Sequence, residues 1–436
     1  LMIDNSDSAV IYHTLIAFFL LNACFSAVQF ISIVMETGAI NPFRYQGDYQ
    51  KYFISTGDYI KGISLYTSTT NAILNAFGIV FFLWKRNWAL VLICTGTLLL
   101  TGSNLVNLVL FPMLLFLFIF NTTKEQKSII VICCALLVVF MAKVSPQNNQ
   151  YVTEIFAKIF PTLKKEKLAQ AKTIDVRELP DSHLTSEQKK EKIALVYLDS
   201  LNKVIVERKR RENPQIATWT SYSYEKKPLV PEPNIHSAPF QNRDDTNSVR
   251  KELLAFISAK KEFTEQEQTY AQTNFPGKAI AYLQTGRYLS QHPHYLITGT
   301  GLGNFSSKMA FKATALQFAG GFPVRLAYIH PDFSFNHLSL YLYFFSKRAK
   351  SHSVVNSPNS VYDQLMSEYG IIGLGAFLLF YVGFFLKQYK KLTYGIPLLL
   401  LLLSFFFIDY WFEQLSIVVV FELLLFLNLK ESRQET

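Results

Sequence analysis

Charge is scarce in this sequence: 17% of its 436 residues are Asp, Glu, Lys or Arg, where a typical globular domain carries about 25%. Cysteine is scarce too. Cys24, Cys94, Cys133 and Cys134 sit in apolar runs without a CxxC pair, and the polar stretch 143–367 holds none. That excludes a disulfide framework and a cysteine zinc site. No Asp-x-Asp pair stands out, and His292-Pro293-His294 lacks a partner cysteine or acidic motif, so no metal and no cofactor are expected. What abounds is apolar and aromatic: 50% hydrophobic residues, with 38 Phe and 23 Tyr. Intrinsic disorder and a collagen-like fibre are thereby excluded. A net charge of +10 would suit nucleic acid, but membrane proteins gather Lys and Arg beside anionic headgroups. The composition favours the lipid bilayer as a partner, and no nucleic acid.

A helix that crosses hydrocarbon needs about 20 mostly apolar residues. Candidate spans lie at 10–35, 63–84, 128–142, 371–386, 396–408 and 417–429, and 88–120 reads as a short helical hairpin broken at Thr101-Gly102-Ser103-Asn104. The fold class expected is therefore an all-α polytopic membrane protein of about eight transmembrane helices. With eight crossings, Lys85-Arg86, Lys124 with Lys127, Lys387 with Lys390 and Lys391, and Lys430 with Arg433 share one face. Positive residues in short loops mark that face as cytoplasmic. The other face then carries 36–62, 101–104, 143–367 and 409–414. The expected division is an N-terminal membrane domain of about five spans (1–142), an external domain (143–367) and three C-terminal spans (368–436). From Leu1 onward no basic, apolar and cleavage regions follow in series; further spans upstream are an open alternative.

The external insert reads as mostly helical. Ile193, Tyr197, Leu201 and Val204 recur at helical spacing, a proline-bearing coil covers 214–247, and a second charged helix follows over 248–273. The run Arg208-Lys209-Arg210-Arg211 is either a solvated face or a contact for a polyanion. Nearer the end of the insert comes Gly299-Thr300-Gly301-Leu302-Gly303. As a dinucleotide fingerprint it lacks the last glycine and a βαβ frame. Two readings stand: a turn whose glycines permit close approach or positive φ, or backbone amides that cradle a phosphate.

Three motifs carry a likeness. Asn359-Ser360, nine further residues and Gly370-Ile371-Ile372-Gly373 open a candidate span; Lys278 stands 15 residues before Pro293, ahead of the Gly299–Gly303 turn; and Thr101-Gly102-Ser103-Asn104 joins two spans. Over about 60–429, the chain resembles the O-antigen ligase and polymerase family, integral membrane glycosyltransferases of the bacterial envelope. In that family a His stands at the position of Asn359, an Arg at that of Lys278 and an Arg at that of Asn104. The resemblance implies a multi-pass protein of the bacterial inner membrane with its large domain in the periplasm. It also implies metal-independent transfer of a glycan from a polyprenyl (undecaprenyl) diphosphate donor to lipid A–core, a glycan or a protein.

Such chemistry needs cations for the diphosphate leaving group and a base for the acceptor proton. Lysine keeps the charge of arginine but loses its bidentate fork, and an asparagine amide takes no proton at neutral pH. Substrate-binding candidates are Lys278, Arg287, Asn104, Lys61, Arg44, Gly299, Gly301 and Gly303, with Arg325 as a further external cation. Catalytic candidates are His337, His352, Asn359 and Glu368, with His330 also available. Each has a plainer reading: surface charge for the cations, a buried hydrogen-bonded ring for His337, a helix cap for Glu368. The aromatics of Asp409-Tyr410-Trp411-Phe412-Glu413 read as an interfacial belt. Two rival functions remain: an inactive membrane scaffold, and a transporter or flippase of lipid-linked glycans. The latter needs ionisable residues within the spans, which carry almost none.

Overall fold

The computed structural model describes residues 2–38, 41–44, 60–120, 122–145, 276–314, 322–344 and 357–434. The chain divides into two compact units. One, Ala157–Pro231, lies wholly outside the described residues. So do the two charged insert helices expected from the sequence, the basic run 208–211 and His352. Everything described below belongs to the other unit, which joins Leu1–Phe156 to Glu232–Thr436.

Among the described residues the structure is helical, without strands. Five long helices come first: α1 (Ser8–Thr37), α2 (Ser68–Trp84), α3 (Trp88–Leu100), α4 (Asn104–Ile119) and α5 (Lys124–Val139), the last prolonged by a π-helical turn, Phe140–Val144. The end of the insert forms α6 (Gly277–Gln291) and five short helices, α7 (Pro293–Thr298), α8 (Lys308–Ala313), α9 (Pro331–Asn336), α10 (Leu338–Phe344) and α11 (Val361–Glu368). Then come α12 (Gly370–Ala376), a π-helical turn Phe377–Val382 and α13 (Gly383–Leu386), followed by α14 (Gly395–Phe405) and α15 (Leu415–Gln434).

The axis of the bundle is α2. Its residues from Ser68 to Leu83 are all buried, the condition of a helix that is apolar all round. Phe77 meets Phe405 and Phe421, Phe81 meets Tyr394, and Phe82 meets Phe19, at ring separations of 5.3–6.1 Å. α2 begins at Ser68, five residues later than the apolar run suggests. Leu65 takes a left-handed φ of +53°, and the Thr67 hydroxyl caps the helix by accepting the N–H of Thr70. Side-chain amides tie α1 to α2 inside this apolar setting. Asn22 donates to Asn71 Oδ1 at 2.8 Å, Asn71 donates to Ser26 at 2.9 Å, and Asn75 donates to Asn71 Oδ1 at 2.8 Å.

The helix ends sort into two groups. At one end Lys85 pairs with Glu431 at 2.6 Å, Gln126 of the Thr123 capping box donates to Leu83 O, Tyr394 donates to Glu431, and Asn87 donates to Tyr12. At the other end Thr70 meets Gln414, Gly62 donates to Gln29, Asn104 donates to Ser145 O, and Val361 donates to Phe406 O. Residues Lys85, Lys124 and Lys430, from three of the basic clusters, are thus carried by elements that meet at the first end, and the insert helices join the second.

Two helical stretches, Ser8–Glu36 and Lys124–Val144, are long and apolar enough to cross a membrane. The other apolar helices are shorter, 10–17 residues. Large apolar side chains face outward from α1 (Leu21, Phe25, Val28), α5 (Val131, Ile132, Val139) and the α12–α13 stretch (Ile371, Leu379, Phe380). The aromatic belt expected at 409–413 is corrected for two of its three aromatics. Tyr410 and Trp411 are fully buried: the phenol donates to Ser306 O and the indole to Phe405 O at 2.6 Å.

Candidate functional site

The glycine turn and the break between α11 and α12 are built against each other. Gly299, Gly301 and Gly303 take φ of +75°, +93° and +80°, and Gly370 takes +62°. Backbones come close enough that a Cβ on Gly299 would lie 2.2 Å from Glu368 O, and one on Gly370 would lie 2.5 Å from Ile297 O. Only glycine fits both demands. Thr300 N–H then reaches Ser367 O at 2.9 Å and Gly301 N–H reaches Glu368 O at 3.0 Å.

The Glu368 side chain completes the turn. Its Oε2 accepts the N–H of Gly303 at 2.9 Å; its Oε1 accepts those of Phe305 (3.0 Å), Ser306 (2.9 Å) and Ser307 (2.9 Å). This corrects two expectations. The amides expected to cradle a phosphate are already taken within the chain: those of Gly299 and Gly301 donate to Tyr295 O and Glu368 O, and that of Gly303 donates to the Glu368 carboxylate. Glu368, in turn, is neither a free base nor a cap on α12: it is 1% exposed and gathers four amides of another segment.

His337 is fully buried, with Nε2 3.1 Å from Asp363 Oδ2 and its ring 4.9 Å from that of Phe305. Its Nδ1 and the Oδ1 of Asp363 have no partner among the described residues. The plain reading of His337 as a buried hydrogen-bonded ring describes it; a substrate cannot touch it without displacing its surroundings. His330 accepts the N–H of Asp332 and caps α9.

Lys278 behaves differently. Near the start of α6, its ammonium donates to the carbonyl oxygens of Asn359 and Ile408, the latter at 3.0 Å. Burial pushes its pKa down to about 8, against the opposing pull of the Asp409 and Asp363 carboxylates. Asn359 donates through Nδ2 to Asp409 Oδ1 at 3.1 Å, and beside it Tyr282 and Ser360 share a 2.6 Å hydrogen bond. Lys278 and Asn359, 81 residues apart in sequence, therefore meet with Asp409 in one half-buried cluster at the insert end of the bundle.

The remaining candidates lie elsewhere. Asn104 donates to Ser145 O at 3.2 Å and Lys61 opens the Gly62–Ser64 turn; no hydrogen bond among the described residues joins either to Lys278. Arg287 and Arg325 are exposed surface cations. Arg44 ends the Pro42–Arg44 turn, and its side chain lies outside the described residues. No cluster of three or more His, Cys, Asp or Glu suited to a metal occurs among the described residues.

Sequence reasoning passed over Asp363 and Asp409 altogether. Asp363 stands four residues after Asn359, which in a helical protein says little about contact, and Asp409, 50 residues away, gave no signal at all. Glu413 accepts the N–H of Lys308 at 3.1 Å and a hydrogen bond from Gln364 Nε2 at 3.2 Å. Burial raises its pKa from 4.5 to about 7; Glu368 adds to the rise, while Lys308 and Lys312 oppose it. A carboxyl whose folded pKa is raised binds its proton more tightly in the folded state, so its contribution fades as pH climbs from about 4.5 to 7. Glu413→Gln is expected to flatten that decline and to melt above the wild type at pH 8. Thermal unfolding in detergent at pH 5 and 8 tests it; an unchanged pH dependence would count against the buried site.

No family model, curated protein or solved structure matches this chain. The likeness to the O-antigen ligases and polymerases rests on its own three motifs.

Proposed function

We propose that this chain is a bacterial inner-membrane glycosyltransferase of the O-antigen ligase or polymerase type. It moves a glycan from a polyprenyl diphosphate to an acceptor hydroxyl on the periplasmic side. The supporting observation is the meeting of Lys278 with Asn359, since both positions were singled out by motif and stand far apart in sequence. An ammonium has three N–H donors. Two of those on Lys278 go to carbonyl oxygens, and the third is available to a diphosphate oxygen. In a half-buried setting a charge-assisted contact of this kind is about twice as strong as a neutral one.

The membrane reading is supported by the two stretches of spanning length, the outward apolar faces and the basic residues gathered at one end. With the eight crossings expected from the sequence, that end becomes cytoplasmic and the insert end periplasmic. The shorter helices would cross with residues from their flanking turns, in a locally thinned bilayer. The polyprenyl chain would lie along the apolar faces, with its diphosphate at Lys278.

The test uses membranes of the source cells carrying each variant as sole copy. Release of polyprenyl diphosphate from their own lipid-linked glycan is measured, with polymeric glycan followed on a gel. Lys278→Ala is expected to slow release by 10²-fold or more, on the order of the loss from one electrostatic stabiliser. In the wild type the rate should fall as pH rises through about 8, because the ammonium loses its proton there; Lys278→Arg should abolish that alkaline limb, since arginine stays charged. Equal release with and without Lys278 would favour the inactive scaffold.

A further inference from the structure

An asparagine at the position of the family's histidine removes the base from where the resemblance puts it, and three observations point to where it has gone. Asp409 Oδ1 accepts Asn359 Nδ2 at 3.1 Å and the N–H of Tyr410 at 2.7 Å. Both donors converge on one oxygen, and Oδ2 takes no hydrogen bond among the described residues. Asn359 itself keeps a buried Oδ1 without a partner among the described residues, a free acceptor inside the cluster. Finally, Asn359 and Asp409 are half-buried and so within a substrate's reach, where His337 and Glu368 are enclosed.

We infer that Asp409 is the base of the transfer proposed above, held in place by Asn359; the inference rests on that reading. In the step, the acceptor hydroxyl oxygen forms a bond to the anomeric carbon of the glycan. The bond from that carbon to the diphosphate oxygen breaks, and its electron pair leaves with the polyprenyl diphosphate, countered by Lys278. The hydroxyl proton goes to Asp409 Oδ2. The charged group facing this carboxylate is Lys278 of α6, which is also faced by Asp363 of α11. The arrangement sets cation and base on either side of one residue: Lys278 on the backbone carbonyl of Asn359, Asp409 on its side chain.

The same membrane assay tests this. Asp409→Asn, close to isosteric, is expected to slow polyprenyl diphosphate release by about 10²–10⁴-fold, the usual weight of a positioned base, while the folded protein recovered in detergent equals wild type. In Asp409→Ala, added formate should restore release at least about tenfold by standing in for the missing carboxylate. Asn359→Ala should slow release, and Asn359→Ala/Asp409→Ala should be no slower than Asp409→Ala alone. A residue that acts only through Asp409 has nothing left to position once Asp409 is gone; a merely structural residue would add its own loss. Wild-type membranes that release no polyprenyl diphosphate overturn the transferase reading and this base with it. Wild-type release with Asp409→Asn within threefold of it, or with no formate rescue of Asp409→Ala, overturns the base alone.

Discussion

Glu368→Ala is expected to destabilise the folded protein by about 4 kcal/mol or more and to loosen the segment 299–307. The carboxylate holds four backbone amides, of Gly303 and of Phe305 to Ser307 just after the glycine turn, at 2.9–3.0 Å, and each hydrogen bond to a charged group contributes about 1.5–3 kcal/mol. These contributions share one group and do not simply add, but their loss is a large part of the 5–15 kcal/mol by which domains are usually stable. Glu368→Gln should be milder. Oε1 serves three amides and Oε2 only that of Gly303, so the glutamine would turn its NH₂ toward Gly303 and keep its oxygen for the other three. The expected order of melting is wild type, then Glu368→Gln, then Glu368→Ala, and hydrogen exchange should rise first at 303–307. Equal melting of all three would mean that water replaces the carboxylate and that the turn is held by Ser367 O and Glu368 O alone.

That example shows why the sequence revealed some parts and hid others. The helical hairpin was plain, because apolar runs flank Thr101-Gly102-Ser103, and α3 ends and α4 begins there. Of the four basic clusters that counting spans puts on one face, Lys85, Lys124 and Lys430 of three of them are carried by elements that meet at one end. The start of α2 was misplaced because Leu65 adopts a conformation that its residue type does not announce. The π-helical turn Phe377–Val382 left no mark either, since one extra residue per turn does not alter an all-apolar run.

In the site, three alternate glycines signalled a left-handed turn, and the turn is there. Its occupant was hidden. The partners of Glu368 are main-chain N–H groups 61–65 residues away, and every non-proline residue carries one. Side-chain identity therefore says nothing about which amides a carboxylate will find. Lys278 and Asn359 were found through motif spacing, whereas Asp409 is brought to them by the turn between α14 and α15 and carries no motif of its own.

His337 and Asp363 should prove to be a structural pair whose removal is felt at Lys278. Both are buried, and the contact between them is 3.1 Å. Breaking a buried hydrogen-bonded pair from one side leaves the other group without its partner, at about 1–3 kcal/mol. His337→Leu and Asp363→Leu are each expected to lie near the lower end of that range, because two atoms of the pair already lack partners. His337→Leu/Asp363→Leu should cost less than either single change, since apolar replacement of both removes the unpaired group; a double-mutant cycle on unfolding in detergent measures the coupling. For catalysis the expectation differs in kind. A base at His337 would make the double variant at least about 10²-fold slower, whereas a structural His337 leaves the rate of the folded protein within about tenfold at pH 6. Asp363 also helps keep Lys278 protonated against burial, alongside Asp409. Without it the lysine's pKa moves further down from about 8, so the alkaline fall in rate should begin at lower pH in Asp363→Leu but not in His337→Leu. If both single variants keep the wild-type pH limb, Lys278 does not feel the carboxylate of α11, and its charge depends on Asp409 alone.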